Sequence, residues 1–367
     1  MQRRKFVNAL GASVAGASLA ACSGQQDCGE GKTATSDKVY KWKMVTTWPK
    51  NFQALGEGAN YLAELITKMT GGRIQVHVYG SGEIVPAFEV FDTVSRGTAE
   101  LGHGSAYYWK GKIPVSPFFS TVPFGLTAQE MNAWLLKGGG LELWQELYKP
   151  HNVVPMPVGN STVQMAGWFN KEINSLEDLK GLKMRIPGLG GEILKRVGGT
   201  PVLLSGGEIF TSLESGAIDA VEWVGPYNDL SFGLYKAAKY YYYPGWHEPG
   251  TTMECLINAE ALASLPQDLQ EIVKSACLIA NQDMISDFTA KNNQGLKTLV
   301  EQHGVQVKRL PDDVLRELKA VAEEVAKELA AESPFAQKVY DSYMTFKRDA
   351  LAWADLSELA IMEARKL

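Results

Sequence analysis

Residues 39–79 read VYKWKMVTTWPKNFQALGEGANYLAELITKMTGGRIQVHVY. The alternation of VYKWKMVTT predicts a strand. After Trp48-Pro49, the spacing of Leu55, Leu62, Leu65, Ile66 and Met69 predicts a helix with these residues on one face, and Gly71-Gly72 ends it. RIQVHVY then alternates again. EVFDTVSRGTAE predicts a further helix and LGHGSAYYW a further short strand, which makes a β-α-β-α-β succession and a mainly parallel sheet.

A second cycle is expected from NVVPMPVG (152–159) and QMAGWFN (164–170). KGLKMRIPG follows as a strand, GGEILKRVGG as a helix, PVLLS as a strand, and EIFTSLESGAIDAVEW as a helix running into a strand. From Leu265 onward the pattern is helical throughout, with Val314, Leu318, Val321, Val325 and Leu329 forming one apolar stripe. A chain of 367 residues, at about 150 residues per domain, divides into roughly two lobes.

Composition narrows the class. Hydrophobic residues make up 45% and charged residues 21%, enough apolar content for a large core and too little charge for a disordered chain. The net charge is −5 and no basic run follows the extreme N-terminus, so nucleic acid is excluded as a partner.

The first 22 residues, MQRRKFVNALGASVAGASLAAC, have a basic start, a modest apolar stretch and small residues, as an export signal does. Arg3-Arg4 before Phe6 resembles the twin-arginine type, and Leu19-Ala20-Ala21-Cys22 matches a lipobox that makes Cys22 the lipidated residue and membrane tether. The alternative is ordinary cleavage nearby and a soluble product. The run is too short to span a membrane. Residues 22–37 carry no bulky side chain and read as a flexible tether, and removal of 1–21 takes three cations and no acids. With Cys22 lipidated, Cys28, Cys255 and Cys277 remain and no disulfide framework is legible; Cys255 and Cys277 sit among apolar neighbours as buried cysteines do.

Catalytic signatures are missing: GxSxG, P-loop, HExxH and CxxC are not found. Gly188-Leu189-Gly190-Gly191 opens a helix behind a strand, but Ile193 stands where a dinucleotide fingerprint needs its third glycine. Free N–H groups there, with Arg185 nearby, offer a bidentate carboxylate site; the competing reading is an arginine at the surface or bridging the lobes. Glu222-Trp223 and Trp246-His247-Glu248 each set an acid among aromatic residues, where a buried carboxylate requires compensation by Arg185 or by a hard cation. The competing reading for each acid is a solvated face or an ordinary salt bridge. His247 reads as structural, and the tyrosines Tyr107, Tyr108 and Tyr240 to Tyr243 either line a pocket or pack.

Five strings, ELGHGSAYYW, GNSTVQMAGWF, KGLKMRIPGLGGEIL, SGAIDAVEWVGPYNDL and YYYYPGWHEPG, closely resemble the extracytoplasmic solute-binding subunit of tripartite ATP-independent periplasmic (TRAP) transporters. The likeness runs from about Lys38 to the C-terminus and is strongest to the branch that binds 2-oxo acids such as pyruvate. It implies an α/β, two-lobed periplasmic-binding-protein-like fold, with a ligand cleft between the lobes and a helical C-terminal extension. By that likeness 38–158 plus about 226–280 form lobe I, 159–225 lobe II and 281–367 a helical region.

The resemblance also implies roles. Arg185, in the KMR string, would clamp the substrate carboxylate. Gln164, Glu222, the Trp223 carbonyl and Glu248 would hold a Na⁺ ion that bridges to substrate, with Ca²⁺ as the alternative seen in lactate-binding relatives. Tyr107, Tyr108 and Asn160 match positions that touch ligand, and Trp223 borders the substrate as well. The implied partners are a small monocarboxylate, the TRAP membrane subunits, and a second copy through the helix from Pro334 to Leu367. Phe335, Tyr340, Tyr343, Phe346 and Trp353 fit burial against that copy or against their own lobe. Two further readings are a sensor subunit with the same ligand, and a periplasmic enzyme using Glu222 and Glu248 as acid and base.

Overall fold

The computed structural model describes residues 38–367. The expected leader 1–21, the lipobox Cys22 and the tether to residue 37 lie outside the described residues. Strand β1 (Tyr40–Thr46) leads to helix α1 (Leu55–Met69), β2 (Ile74–Tyr79), α2 (Val90–Ser95) and β3 (Leu101–Gly104), the β-α-β-α-β succession that the spacing predicts. Leu55, Leu62 and Ile66 are buried; Leu65 is half-buried and Met69, at the frayed end, is exposed.

After β3 come α3 (Ala128–Lys137), α4 (Gly140–Tyr148), β4 (Val153–Asn160) and β5 (Gly167–Phe169). Then follow β6 (Lys183–Arg185), α5 (Gly188–Arg196), β7 (Thr200–Val202), α6 (Gly206–Glu214), β8 (Ala220–Val221), α7 (Pro226–Phe232) and β9 (Tyr240–Tyr243). The chain closes with β10 (Thr252–Asn258), α8 (Ala259–Ala263), the 35-residue α9 (Gln267–Glu301), β11 (Gln306–Arg309), α10 (Asp312–Ala331), α11 (Pro334–Ala354) and α12 (Glu358–Ala364).

Two sheets result. The first has five strands in the order β2-β1-β3-β10-β4, and the second six in the order β11-β9-β5-β8-β6-β7. Both are mixed rather than mainly parallel, because β10 runs antiparallel to β3 and β4, and β5 antiparallel to β8 and β9. Strand β4, read by pattern as opening the second cycle but grouped with lobe I by the family likeness, edges the first sheet. Strand β9, grouped by sequence with lobe I, lies in the second sheet, and β11 interrupts a tail expected to be wholly helical.

Every residue of β10 is buried, as a central strand covered on both faces requires. Helix α9 packs on β4, α1 and α7. At Gly295 a side chain would sit 2.8 Å from the Pro226 backbone, so only glycine lets α9 approach α7 this closely. The C-terminal aromatics turn inward: Tyr343 is fully buried and accepts from the Leu126 N–H at 2.9 Å, and Phe335, Tyr340 and Phe346 pack on the same core. Trp353 is the exception at 66% exposed, followed by exposed Leu356, Leu359, Ile361 and Met362. Among the described residues no helix is long and apolar enough to cross a membrane.

Candidate functional site

The parallel pairing of β6 with β8 sets Arg185 against Val221, and the Glu222 N–H donates to the Arg185 carbonyl at 3.1 Å. The two side chains therefore leave neighbouring strand ends together. Both are 1% exposed, and Arg185 Nη1 donates to Glu222 Oε1. The rest of the guanidinium is engaged too: Nε with the Leu204 carbonyl at 3.2 Å, Nη1 with the Glu222 carbonyl at 3.2 Å, and Nη2 with the Tyr108 hydroxyl at 3.3 Å. Its central carbon lies 5.2 Å from the centroid of the Trp223 ring, a cation–π contact. Burial is the largest influence on Arg185 and opposes its charge, but Glu222, Tyr108 and Tyr107 together outweigh it, and the group is held above its ordinary pKa.

Gln164 and Glu248 come from the other side. The Gln164 N–H donates to the Glu248 carbonyl at 3.2 Å, and the Gly245 N–H donates back to the Gln164 carbonyl at 3.0 Å. A Cβ on Gly245 would meet that carbonyl oxygen at 2.2 Å, so glycine is required for the two segments to close. The Gln164 Nε2 donates to Ser161 Oγ at 2.9 Å and Glu248 Oε2 at 2.8 Å, while the Thr251 hydroxyl donates to Glu248 Oε2. Among the described residues Gln164 Oε1 is buried without a partner. Burial, and then the neighbouring Glu222 charge, push the Glu248 pKa well above the usual carboxylate range.

Among the described residues Glu222, His247 and Glu248 offer ligating atoms within 4.8 Å of one another, all three buried. His247, read from sequence as structural, places Nε2 3.3 Å from Glu222 Oε2 and leaves Nδ1 buried without a partner. The donor set fits a hard cation: two carboxylates face one guanidinium, and the orphaned Gln164 oxygen adds a neutral ligand. Oxygen predominates, which suits Na⁺ or Ca²⁺ better than zinc.

The remaining expected residues divide. Tyr107 and Tyr108 meet edge to face at 4.6 Å, and Tyr107 lies 3.2 Å from where a Gly188 side chain would stand, beside the start of α5. Together they line a cavity of about 350 Å³ with Pro187, Gly188, Gly191 and Leu203. At its rim Lys110 reaches Glu192 at 3.8 Å, joining the turn after β3 to α5. Asn160 is buried and already engaged, donating to Thr252 Oγ1 at 3.3 Å and accepting from the Thr162 N–H at 2.9 Å. The Trp223 indole N–H turns to Asn228 Oδ1. Tyr241 and Tyr242 are packing residues whose hydroxyls serve Asp229 and the Ile173 N–H.

Sequence reasoning missed Ser161 and Thr251, which hold Gln164 and Glu248; hydroxyl residues so common carry no signal before the segments meet. His247 had one signal, its place beside Glu248 in WHEP, but scattered histidines without zinc spacing hid it.

Residues 44–333 match the family described as bacterial extracellular solute-binding protein, family 7. A monocarboxylate 2-oxoacid-binding periplasmic protein of Nostoc sp. is 40% identical over 365 residues, 98% of each chain. A TRAP periplasmic solute-binding protein from Colwellia psychrerythraea, with bound calcium and pyruvate, superposes with TM-score 0.87 at 41% identity, covering 89% of this chain and 100% of that one. Its counterpart from Pseudoalteromonas atlantica, with bound sodium and pyruvate, gives TM-score 0.86 at 41% identity, covering 89% and 99%. These chains share the two-lobed α/β architecture over nearly their whole length. The chain belongs to family 7 of the bacterial extracellular solute-binding proteins, the solute-binding subunits of TRAP transporters.

Proposed function

We propose that this protein binds a small 2-oxo or 2-hydroxy monocarboxylate, pyruvate foremost, together with Na⁺ or Ca²⁺, and delivers it to a TRAP membrane complex. The observation that carries the reading is the buried constellation of one guanidinium, two carboxylates and the orphaned Gln164 oxygen. Arg185 meets the ligand carboxylate through Nη2, whose second N–H is left over from the bond to Tyr108, and the guanidinium charge strengthens that contact. Tyr108, already on Arg185 Nη2, and Tyr107 and Asn160 border the ligand, and the Trp223 ring backs the guanidinium. Gln164, Glu222, the Trp223 carbonyl and Glu248 hold the cation, with His247 steadying Glu222.

The charges explain the pairing of ligand and ion. The one arginine is already matched by Glu222 and has no net charge to spare for an added carboxylate, whereas a bound cation supplies it and the dry surroundings strengthen every contact. The protein performs no chemistry on the acid it carries. Lobe I comprises the first sheet and lobe II the second, hinged by the crossing segments. Residues 1–21 direct export, Cys22 carries a lipid that anchors the protein outside the cytoplasm, and 22–37 is the tether. The exposed apolar end from Trp353 to Leu367 pairs with a second copy.

The test is a thermal-shift panel of 2-oxo and 2-hydroxy acids on metal-stripped protein, in Na⁺, in Ca²⁺ and in chelator. A ligand that binds only the folded state raises Tm by mass action. One small acid raising Tm only with cation supports the reading; no response to any acid in either ion refutes it. Unchanged acid concentration after prolonged incubation separates a carrier from an enzyme.

A further inference from the structure

Asp229 lies in the first turn of α7, 1% exposed. Its carboxylate accepts from three neutral donors: the Trp168 indole N–H at 2.9 Å, the Tyr241 hydroxyl at 2.7 Å and the Val224 main-chain N–H at 3.1 Å. Burial pushes its pKa up to about 7 in spite of those bonds. A carboxyl so placed is costly, and an apolar residue of similar size is often no worse for stability. Its position therefore calls for another reason.

The Val224 N–H and the Trp223 carbonyl belong to one peptide group. That group is planar and trans, so its N–H and C=O point in opposite directions. An acceptor fixed on the N–H side aims the carbonyl the other way, and a carboxylate there polarises the peptide and enriches the carbonyl oxygen in negative charge. The neighbouring bonds lock the same strip. The Val224 carbonyl accepts from the Met165 N–H at 3.1 Å, next to Gln164, and the Trp223 indole is held by Asn228, whose amide donates to the Gln53 carbonyl at 2.6 Å. Trp168 stacks on Tyr241 with centroids 4.0 Å apart, so the platform under Asp229 is rigid.

We propose that Asp229 is a positioning residue for the cation, acting through the Trp223–Val224 peptide to aim and polarise the Trp223 carbonyl. This rests on the cation reading given above. Asp229 touches neither ion nor ligand; it sets how tightly the carbonyl coordinates.

The test has two arms on the protein as it exists. In the first, Ca²⁺ is titrated calorimetrically into metal-stripped wild type, Asp229→Asn and Trp168→Phe. Residues that orient metal ligands are worth about 10- to 100-fold in affinity. Asp229→Asn is expected to lose at least about tenfold, and Trp168→Phe, which spares the Val224 contact, to stay within about twofold even if its Tm falls. Equal affinity for Asp229→Asn and wild type overturns the proposal, as does a loss equally large in Trp168→Phe. In the second arm no variant is needed. Trp223-Val224 is the sole Trp-Val pair in the chain, so carbonyl-¹³C tryptophan with ¹⁵N valine marks that one peptide. Its cross-peak is expected to move with Ca²⁺ at the calorimetric stoichiometry. A stationary peak while Ca²⁺ binds overturns the proposal and leaves the cation reading standing; absence of Ca²⁺ and Na⁺ binding to wild type overturns both.

Discussion

Gln164 and Glu248, 84 residues apart, are joined twice: side chain to side chain at 2.8 Å, and Gln164 N–H to Glu248 carbonyl at 3.2 Å. The double contact fixes the carboxamide with its nitrogen on the acid and its oxygen turned away, buried and unpartnered. Two side chains of different charge are thereby oriented by one backbone register.

Glu248→Gln removes one of two buried carboxylates that oppose each other. In chelator its Tm is expected to rise by a few degrees, since the raised pKa marks Glu248 as a cost to the metal-free fold. Its Ca²⁺ affinity is expected to fall by at least about 100-fold, given what even outer ligand supports contribute. Paired scanning calorimetry and titration calorimetry check both. A lower Tm in chelator, or affinity retained, contradicts this account of the pair.

The buried Arg185–Glu222 bridge makes a different demand. Arg185→Ala leaves Glu222, among the described residues, with His247 as its remaining partner and is expected to cost about 3–5 kcal/mol. Arg185→Ala/Glu222→Ala is expected to recover part of that loss, with a coupling energy of about 1–3 kcal/mol in a double-mutant cycle by urea unfolding. Additive single effects contradict the pairing.

Away from the site, Glu254 is fully buried on β10, accepting from the Trp109 indole and from the Tyr148 hydroxyl at 3.1 Å. Burial raises its pKa to about 8. The folded state thus keeps a proton that the unfolded chain releases near its ordinary value, so stability falls as pH rises from about 4.5 to 8 and levels off beyond. Glu254→Gln is expected to flatten that slope. Tm measured across pH 5–9 checks it, and identical slopes in variant and wild type count against it.

Phe119 is sandwiched between Trp134, at 5.6 Å and 13°, and Trp144, at 5.5 Å and 6°. Phe119→Ala opens a cavity between the two tryptophans and is expected to cost about 3–5 kcal/mol by denaturant unfolding, leaving ligand affinity unchanged. A cost under about 1 kcal/mol would show that the tryptophans collapse onto one another.

Helix α1 and the start of β1 were legible because buried and wet positions recur there at the period of the element, whereas β3, LGHG, is buried throughout and was legible as the short run that closes the β-α-β-α-β succession. Strand β10 escaped because TMECLIN is buried on both sides and has no period to read. β11 escaped because four exposed or half-exposed residues between long helices carry little apolar signal; it forms by parallel pairing with Tyr240 to Tyr243, a contact made across 66 residues. The assignment of β4 and β9 to their sheets likewise depends on which partner strand is nearest in space.

In the site, Arg185, Glu222 and Glu248 were legible as charges among apolar and aromatic neighbours, and the family strings singled out Gln164, which no charge betrays. The wrap of 245–248 around Gln164 was not legible, since it depends on a backbone approach that Gly245 permits but does not announce. Nor was the role of Asp229, one carboxylate among many until Trp168, Tyr241 and Val224 converge on it.

Cation and carboxylate are expected to bind as a linked pair at Arg185, Glu222 and Glu248. This linkage is tested most directly by calorimetric titration of pyruvate into metal-stripped protein, first in chelator and then in saturating Ca²⁺ or Na⁺. The account requires binding in one of the ions with a one-to-one stoichiometry, and at least about tenfold weaker binding in chelator, the coupling linkage demands of two ligands that share a site. Equal affinity with and without cation would contradict it.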